Sequence, residues 1–288
     1  MMSFDEKMKL AERMRNSNRF KPVEKDEFDK YNVTEEKRVF SGREGETVVY
    51  VISPDDISSP SPVVINLHGG GFINKRLDRD RLFCFKIAEA LKCVVIDVDY
   101  KLSPEYVFPA ALNECEDIIY RVNAEADRLG IDRSQISLTG HSAGGNLAVS
   151  AVATLLKKNL PAVSKMVIEY APLDMFKDPA DKPSYERDLP AERARGYNSF
   201  YCKEEELKEP RVSPTYMEEK MLKDFPDTLV ITAGEDRLNE EGLAFAEKLK
   251  NAGVKVCSKN FDGCVHGFTI NRMDRHEESF KMIIDFLA

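Results

Sequence analysis

The sequence predicts an α/β fold, in which a mostly parallel sheet of eight strands carries helices on both faces. Eight short segments rich in β-branched residues are bounded by turn residues, and longer helical stretches separate most of them. Runs such as VVINL and LVIT are apolar without alternation, which is typical of strands covered on both faces. Strands that alternate with helices favour parallel pairing, because parallel neighbours need a crossover connection.

The elements follow one another in a regular order. The first two strand segments, KRVFS and ETVVYVIS, are expected to pair as a hairpin across GREG. The other six are PVVINLH, CVVIDVDY, QISLTG, KMVIEYA, DTLVITAG and KVCSKNF. Helices are predicted over residues 80–92, 110–129, 143–158, 240–252 and 276–287.

Two parts of the chain depart from this alternation, and the later one is expected to form an inserted cap. After residue 172 the next strand is delayed by charged, aromatic and proline-rich sequence, which a compact domain rarely carries as plain loop. Near the N-terminus, an amphipathic helix on the main body is predicted by the helical spacing of Phe4, Met8, Ala11 and Met14 or Arg15. The predicted division is an N-terminal helical segment at 1–35, a core at 36–172 and 227–288, and a cap insertion at 173–226.

Composition and charge exclude several classes of partner. The 288 residues include 42 Lys and Arg against 50 Asp and Glu, so the net charge of −8 repels polyanions, and no basic cluster offsets it. The six cysteines lie far apart without a CxxC pair, which is typical of reduced, buried thiols. No apolar run approaches the ~18 residues that a bilayer span needs, and the N-terminus does not resemble a secretory signal. The sequence therefore predicts a cytoplasmic protein that binds neither nucleic acid nor membrane.

The stretch TGHSAGG places Ser142 at a tight turn between a predicted strand and a predicted helix. Gly140 and Gly144 remove side chains that would collide in so short a reversal, and the backbone at the serine is expected to be strained. Packing alone would also explain small residues here. After the third parallel strand of such a sheet, however, GxSxG is typical of a nucleophilic serine.

A second motif, HGGGF, supplies three consecutive glycines at the end of an apolar strand. Bare backbone N–H groups there can approach a substrate and stabilise a developing oxyanion. A glycine run alone could be only a flexible turn, whereas its pairing with GxSxG in one sheet is typical of an oxyanion loop. The expected donors are the N–H groups of Gly70, Gly71 and Ala143, and His68 and Gly69 belong to the same loop.

Five blocks in this order resemble the hormone-sensitive-lipase-like branch of the α/β-hydrolases, which includes bacterial carboxylesterases and arylacetamide deacetylases. They are HGGGF, DVDYKLSPEYVFPAALNE, GHSAGGNLA, GEDRLNEEG and GCVHGF, and they cover roughly residues 60–270. The resemblance implies the α/β-hydrolase fold with a helical cap, which the N-terminal helical segment at 1–35 and the insertion at 173–226 would form together. Two positions depart from the family pattern: His141 replaces an aspartate common before the nucleophile, and Glu240 stands where a second aspartate is frequent.

The serine needs a base, and the base needs an orienting carboxylate. In α/β-hydrolases the histidine follows the nucleophile in the chain, which excludes His68 and His141 and leaves His266 and His276. His276 opens a charged terminal helix and is expected to face solvent. His266 follows the last predicted strand directly, at the carboxyl end of the sheet, and is the predicted base.

The identity of the acid is less constrained by the residues alone. The preceding strand ends in GED and offers Glu235 and Asp236, while Asp262 lies close to the histidine in sequence. Spacing leaves all three open. The family resemblance selects Asp236, so that the implied triad is Ser142, Asp236 and His266.

These residues predict a serine hydrolase that cleaves carboxylic esters through an acyl-enzyme, without a metal or organic cofactor. The predicted partner is a small-molecule ester, and a homodimer is left open. An amide hydrolase or deacetylase with the same triad is the nearest alternative. A non-catalytic small-ligand receptor on the same fold is an alternative of another class, and a structural homologue is a third; an intact triad argues against both.

Short-acyl esters are the expected substrates, because the cap sequence KDPADKPSYERDLPAERARG is highly charged and the chain has no tryptophan. A lipase would need a larger apolar lid surface. Aromatic residues of the cap and the oxyanion loop are the candidates for lining the substrate pocket. They are Phe72, Tyr185, Tyr197, Phe200 and Tyr201.

Overall fold

The computed structural model describes residues 3–16 and 22–288. Its strands form a single eight-stranded sheet in the order β1-β2-β4-β3-β5-β6-β7-β8. The strands are β1 (Val33–Gly42), β2 (Gly45–Pro54), β3 (Ser61–Leu67), β4 (Val94–Asp99), β5 (Ile131–His141), β6 (Lys165–Glu169), β7 (Asp227–Glu235) and β8 (Val256–Val265).

The strand pairing confirms the predicted, mostly parallel α/β sheet. Strands β1 and β2 form an antiparallel hairpin in which Gly42 pairs with Gly45, as the GREG turn predicts. Strand β2 also pairs antiparallel with β4, and every other neighbouring pair is parallel. Six parallel strands therefore direct their carboxyl ends to one edge of the sheet, where the connections that carry chemistry in such folds lie.

Nine α-helices occur in the described residues, and the longer ones agree with the predicted ranges. The helix expected over 110–129 is divided in two, with Glu125 between its parts. The helices are α1 (Phe4–Arg15), α2 (Lys25–Phe28), α3 (Asp78–Leu91), α4 (Ala110–Ala124), α5 (Ala126–Leu129), α6 (Ala143–Lys157), α7 (Ala191–Tyr201), α8 (Asn239–Asn251) and α9 (His276–Leu287).

Apolar side chains on the two faces of the sheet form two separate cores. Helices α4, α6 and α8 pack into one core, to which they contribute residues such as Ile118, Leu147 and Phe245. Helices α3 and α9 close the other face through residues such as Ile87 and Ile283. Burial on both faces explains why the central strands have no polar alternation.

The segment between β6 and β7 contains α7 and four short 3₁₀ turns, which begin at Pro179, Glu204, Pro214 and Glu219. Such short elements fit the expected cap insertion of short helices. Helix α1 lies nearby, since its Lys7 ammonium donates to the carbonyl of Ser199 in α7. Of the apolar stripe predicted for α1, Ala11 is fully buried, whereas Phe4 is 59% exposed.

Helix α1 also contacts the core beside the glycine loop. The Arg15 guanidinium donates from Nε to the carbonyl of Ile73 at 2.6 Å and from Nη2 to the carbonyl of Ser103 at 2.8 Å. The same side chain pairs with Glu105 at 2.6 Å. Among residues 3–16 and 22–288, no helix combines the length and the apolar character that a membrane span requires.

Candidate active site

Ser142 lies in the turn between β5 and α6, at the carboxyl edge of the sheet. Its φ of 53° is in the left-handed region, which L-residues adopt only under local constraint. The Ser142 N–H donates to the carbonyl of Glu169 at 2.9 Å, which ties the turn to β6. A side chain at Gly140 would overlap Gly144, and one at Gly144 would overlap the carbonyl of Leu67. The glycines thus allow the helix to start close against the sheet.

Three side chains meet at this turn in a continuous series of hydrogen bonds. Ser142 Oγ lies 2.9 Å from His266 Nε2, and His266 Nδ1 lies 2.7 Å from Asp236 Oδ2. With its hydrogen on Nδ1, the imidazole donates to Asp236 and accepts from the serine hydroxyl. The Asp236 side chain is 1% exposed and that of His266 25% exposed. The arrangement holds a buried carboxylate behind a base that reaches the cavity.

The structure distinguishes Asp236 from the two other acids that the sequence leaves open. Asp262 is exposed and accepts a hydrogen bond from the Asn260 side chain. Glu235 lies 3.4 Å from the Arg187 guanidinium. Asp236, in contrast, follows β7 directly, and its second oxygen accepts from the Leu238 N–H at 3.1 Å, which fixes the carboxylate.

The environment of His266 favours its protonated form. Burial alone would lower the pKa of the imidazole, but the charge and hydrogen bond of Asp236, followed by the charge of Asp188, outweigh burial and raise it. The positive charge of Arg79 opposes this rise. The imidazolium that forms when the histidine accepts a proton is therefore stabilised by two carboxylates.

The glycine loop presents backbone donors to the same space. In the described residues, the N–H groups of Gly70, Gly71 and Ala143 donate to no protein acceptor. The Gly70 carbonyl points the other way, since it accepts from the backbone N–H of Asn74 at 3.0 Å and from its side chain at 2.9 Å. Ala143 is the first residue of α6, where the helix dipole favours negative charge. The three N–H groups are thus without a protein acceptor in the described residues, and two of them belong to residues that line the cavity, Gly70 and Gly71.

A cavity of about 470 Å³ opens over Ser142, His266 and the glycine loop. Its volume lies within the usual range of roughly 300–1,000 Å³ for small-molecule sites. Apolar wall residues such as Met175, Leu189 and Ile270 alternate with charged ones. The charged side chains of the wall include Arg79, Asp80, Lys182, Arg187, Asp188 and Arg193.

A family model described as alpha/beta hydrolase fold matches residues 64–270 of the chain. The protein belongs to the α/β-hydrolase family. The match spans the same blocks, from the glycine loop to the segment after β8, and it confirms the predicted resemblance to the hormone-sensitive-lipase-like branch.

Curated relatives of this α/β-hydrolase include an arylesterase of Saccharolobus solfataricus, 32% identical over 210 residues, which are 72% of this chain and 68% of the relative. Carboxylesterase NlhH of Mycobacterium tuberculosis is 30% identical over 230 residues, 76% of this chain and 70% of the relative. An AB hydrolase superfamily protein of Schizosaccharomyces pombe is 31% identical over 71% of this chain, but the match spans only 62% of the relative.

Solved structures extend the similarity to nearly the whole chain. A hyperthermophilic esterase of the archaeon Pyrobaculum calidifontis superposes with a TM-score of 0.81 at 27% identity, over 99% of this chain and 91% of that one. A thermostable carboxylesterase cloned from a metagenomic library gives a TM-score of 0.80 at 26% identity, over 99% and 95% of the two chains. The structural similarity therefore extends beyond the residues that the family model matches.

The aromatic residues expected to line the pocket separate into two groups. Phe72 and Tyr197 line the cavity, and the Tyr197 ring rests directly on Gly71. Tyr185, Phe200 and Tyr201 do not line it. Phe200 and Tyr201 are almost fully buried, and the Tyr201 ring stacks on Phe72 with centroids 3.7 Å apart. Tyr201 therefore packs behind Phe72, which itself lines the cavity.

His68 lies beneath the glycine loop. Its ring is fully buried and stacks on Tyr100 at 4.2 Å, while the Tyr100 hydroxyl donates to the His68 carbonyl at 2.7 Å. The imidazole therefore anchors the start of the loop from below. Only Gly69, Gly70, Gly71 and Phe72 of the HGGGF motif reach the cavity.

Four charged residues near the site were not singled out by sequence reasoning. Arg237 follows Asp236 in the GEDR segment and forms a buried ion pair with Asp188 of the cap. Asp80 and Arg79 reach the cavity from the start of α3. Arg237 could have been identified from its position next to Asp236 in the sequence. Nothing in the local sequence links Asp188 or Asp80 to Ser142.

The two departures from the family pattern have different structural consequences. His141 is buried and its Nε2 lies 3.0 Å from Asp80 Oδ1. Opposing the effect of its burial, the hydrogen bond and charge of His141 lower the pKa of Asp80 to about 2. Glu240 is exposed, while the neighbouring Glu241 forms a buried ion pair with Lys182.

Proposed function

We propose that this α/β-hydrolase cleaves short-acyl carboxylic esters through an acyl-enzyme on Ser142. The observation that carries the proposal is the hydrogen-bonded series of Ser142, His266 and Asp236, together with three nearby backbone N–H groups that have no protein acceptor among the described residues. A nucleophile, a base with its orienting acid, and an oxyanion site within one cavity are the parts that acyl transfer requires. The names of the relatives, arylesterase and carboxylesterase, support the same reaction class.

In the acylation step, Ser142 Oγ attacks the ester carbonyl carbon while its proton moves to His266 Nε2. The carbonyl oxygen becomes an oxyanion and accepts hydrogen bonds from the N–H groups of Gly70, Gly71 and Ala143. Asp236 holds the imidazole in the reactive tautomer and stabilises the imidazolium. Collapse of the tetrahedral intermediate breaks the bond to the alcohol oxygen, which takes the proton from His266 and leaves.

In the deacylation step, water takes the place of the alcohol. His266 removes a proton from the water, whose oxygen attacks the acyl carbon, and the same three N–H groups hold the second oxyanion. When this intermediate collapses, Ser142 Oγ leaves with the proton from His266, and the carboxylic acid is released. The enzyme returns to its starting protonation state, so one ester and one water give one alcohol and one acid.

The shape and the walls of the cavity support small esters as substrates. A volume of about 470 Å³ accommodates a short acyl chain and a modest alcohol. Charged side chains that are not fully buried, such as Arg79, Arg187 and Arg193, interrupt the apolar surface. A long alkyl chain would have to desolvate these groups without hydrogen-bonding them, which is unfavourable.

The first test is covalent labelling of the nucleophile. A fluorophosphonate probe should label the wild-type protein at Ser142, and Ser142→Ala should abolish labelling and lower ester turnover by at least ~10⁴ without unfolding the protein. Circular dichroism of both proteins controls for the fold. Labelling that survives the substitution would refute the assignment.

A substrate series tests the reaction class and the acyl preference. 4-Nitrophenyl esters from acetyl to dodecanoyl should show the highest kcat/KM between acetyl and about hexanoyl and a steep fall beyond. An N-acetyl arylamide measured beside the acetyl ester separates esterase from amidase activity. Faster turnover of the amide, or efficient hydrolysis of long-chain triglyceride emulsions, would contradict the proposal.

A further inference from the structure

The cap is joined to the loop of the proposed catalytic acid by a buried ion pair. Arg237 Nη2 lies 3.0 Å from Asp188 Oδ2, and the two side chains are 4% and 0% exposed. Arg237 Nη1 also donates to the carbonyl of Pro179 in the cap at 2.6 Å. Because Arg237 follows Asp236 in the chain, a single side chain fixes two points of the cap to the segment that carries the acid.

The ion pair is also part of the active-site wall. Asp188 and Arg237 both line the cavity with Ser142 and His266. Asp188 Oδ1 accepts from the Leu189 N–H at 2.6 Å, whereas Oδ2 makes its charge contact with Arg237 without a well-aligned hydrogen bond. Burial and the nearby charge of Asp236 raise the pKa of Asp188, and the positive charge of Arg237 opposes this rise. Its negative charge is therefore only partly compensated.

Several groups surround the His266 imidazole. Ser142 contacts Nε2, Asp236 contacts Nδ1, and the edge of the Tyr170 ring packs against it with centroids 5.2 Å apart. Two further charges act on the ring, the carboxylate of Asp188 and the guanidinium of Arg79, with opposite signs. Asp188 is the one carboxylate among them that belongs to the cap insertion.

The cap residues that follow Asp188 cover the oxyanion loop. The chain continues through Leu189 and Pro190 into α7, whose Tyr197 ring lies on Gly71. The Tyr197 hydroxyl accepts from Arg193 Nε at 2.9 Å, one helical turn earlier. Anchoring Asp188 thus also sets where α7 begins, and with it the wall above the oxyanion donors.

We propose that Asp188, held in the cavity wall by Arg237, is a positioning residue that acts on the base His266 as a second carboxylate. The inference rests on the proposed function, because His266 is taken as the base. The Asp188 carboxylate adds negative charge to the cavity wall that Ser142 and His266 share, and Arg237 holds it there.

The test is the pH dependence of kcat/KM for Asp188→Asn with 4-nitrophenyl acetate. The acid limb of this profile reports the protonation of the free enzyme's base. Loss of the Asp188 charge should move the limb to lower pH by about 0.5 unit and reduce kcat severalfold, since a nearby carboxylate favours the imidazolium. Asp188→Glu keeps the charge and should retain the wild-type limb even where kcat falls.

Asp178→Asn is the matched control. It makes the same change of charge in the cap, at an exposed ion pair with Arg195 whose side chains are 46% and 44% exposed. Its acid limb should coincide with that of the wild type. Because Asp188→Asn leaves the buried Arg237 guanidinium without a carboxylate partner, the double variant Asp188→Asn/Arg237→Gln provides a second test without an unpaired charge. The acid limb of this double variant should also move to lower pH.

The outcomes separate the inference from the proposed function. If the wild-type protein hydrolyses esters and either folded variant that lacks the Asp188 carboxylate keeps the wild-type acid limb, the inference is wrong while the proposed function stands. Equal shifts in Asp188→Asn and Asp188→Glu would also overturn it, because the charge would then not be the cause. A wild-type protein with neither esterase activity nor fluorophosphonate labelling would remove the proposed function itself.

Discussion

Two histidine–aspartate pairs flank Ser142, and only one of them reaches its hydroxyl. His266 lies 2.7 Å from Asp236 and 2.9 Å from Ser142 Oγ, and a quarter of its side chain is exposed. His141 is adjacent to Ser142 in sequence and lies 3.0 Å from Asp80, but its side chain is only 4% exposed. Its Nδ1 has no hydrogen-bond partner in the described residues.

The comparison shows that a hydrogen bond to an aspartate does not by itself make a histidine a catalytic base. Both pairs join an imidazole to a buried carboxylate, yet His141 turns its Nε2 to Asp80 and packs beneath Gly69 of the oxyanion loop. His266 uses Nδ1 for its acid, which leaves Nε2 free for the serine. Access to the nucleophile and the choice of ring nitrogen therefore separate a candidate catalytic pair from a supporting one.

Substitution of each of the two histidines in turn should give the largest difference in kcat. His266→Gln is expected to lower kcat by roughly 10⁵ or more, because loss of the base disables the whole catalytic unit. His141→Gln should lower kcat by no more than about tenfold, since it alters only support under the loop. Steady-state kinetics with 4-nitrophenyl butyrate measures both. Comparable losses in two folded variants would eliminate the distinction between the pairs.

Substitution of the acids should give the next largest effect. Asp236→Asn should cost on the order of 10⁴ in kcat with little change in KM, because the amide favours the wrong imidazole tautomer and touches no substrate atom. Asp262→Asn and Glu235→Gln are matched controls and should each stay within about threefold, because neither contacts the histidine. If Asp262→Asn lost its activity while Asp236→Asn remained active, the acid that orients His266 would be Asp262 and not Asp236.

The Asp80–His141 pair should matter for stability more than for turnover. A carboxylate whose pKa falls to about 2 on folding stabilises the native state above its unfolded pKa, and this contribution is lost as the pH falls through the folded value. Asp80→Asn should therefore lower the free energy of unfolding by about 2 kcal/mol at pH 7, and the deficit should shrink between pH 4 and pH 2. Urea titrations across this range measure it. A deficit that does not change with pH would contradict the assignment.

The smallest expected effect is on the pH profile. Because Asp236 and Asp188 raise the pKa of His266, the acid limb of kcat/KM should lie above the ordinary histidine value of about 6.5. His141→Gln should leave that limb within about 0.2 unit, since its ring does not exchange a proton with substrate. Initial rates from pH 5 to pH 9 with a neutral ester provide the measurement. A limb below 6.5 would show that burial, and not the carboxylates, controls the base.

Local sequence predicted the fold and much of the site for identifiable reasons. The alternation of apolar strands and helices gives the sheet, because burial on both faces leaves no polar positions in VVINL or LVIT. GxSxG and HGGGF are visible because backbone geometry restricts these turns to small residues. The homodimer, the cytoplasmic location and the domain division at 173–226 stay predictions.

The sequence by itself determined the strand and helix order, the strained turn at Ser142, the glycine loop and the position of His266 after the last strand. Only the tertiary structure showed that Asp236, and not Asp262, hydrogen-bonds to His266, that Tyr197 but not Tyr185 lines the cavity, and that Asp188 pairs with Arg237. The physical reason is the distance along the chain over which each kind of interaction acts. Backbone strain and hydrophobic periodicity act between neighbours and leave a local pattern, whereas an ion pair across the cap joins residues whose surroundings in the chain say nothing about each other.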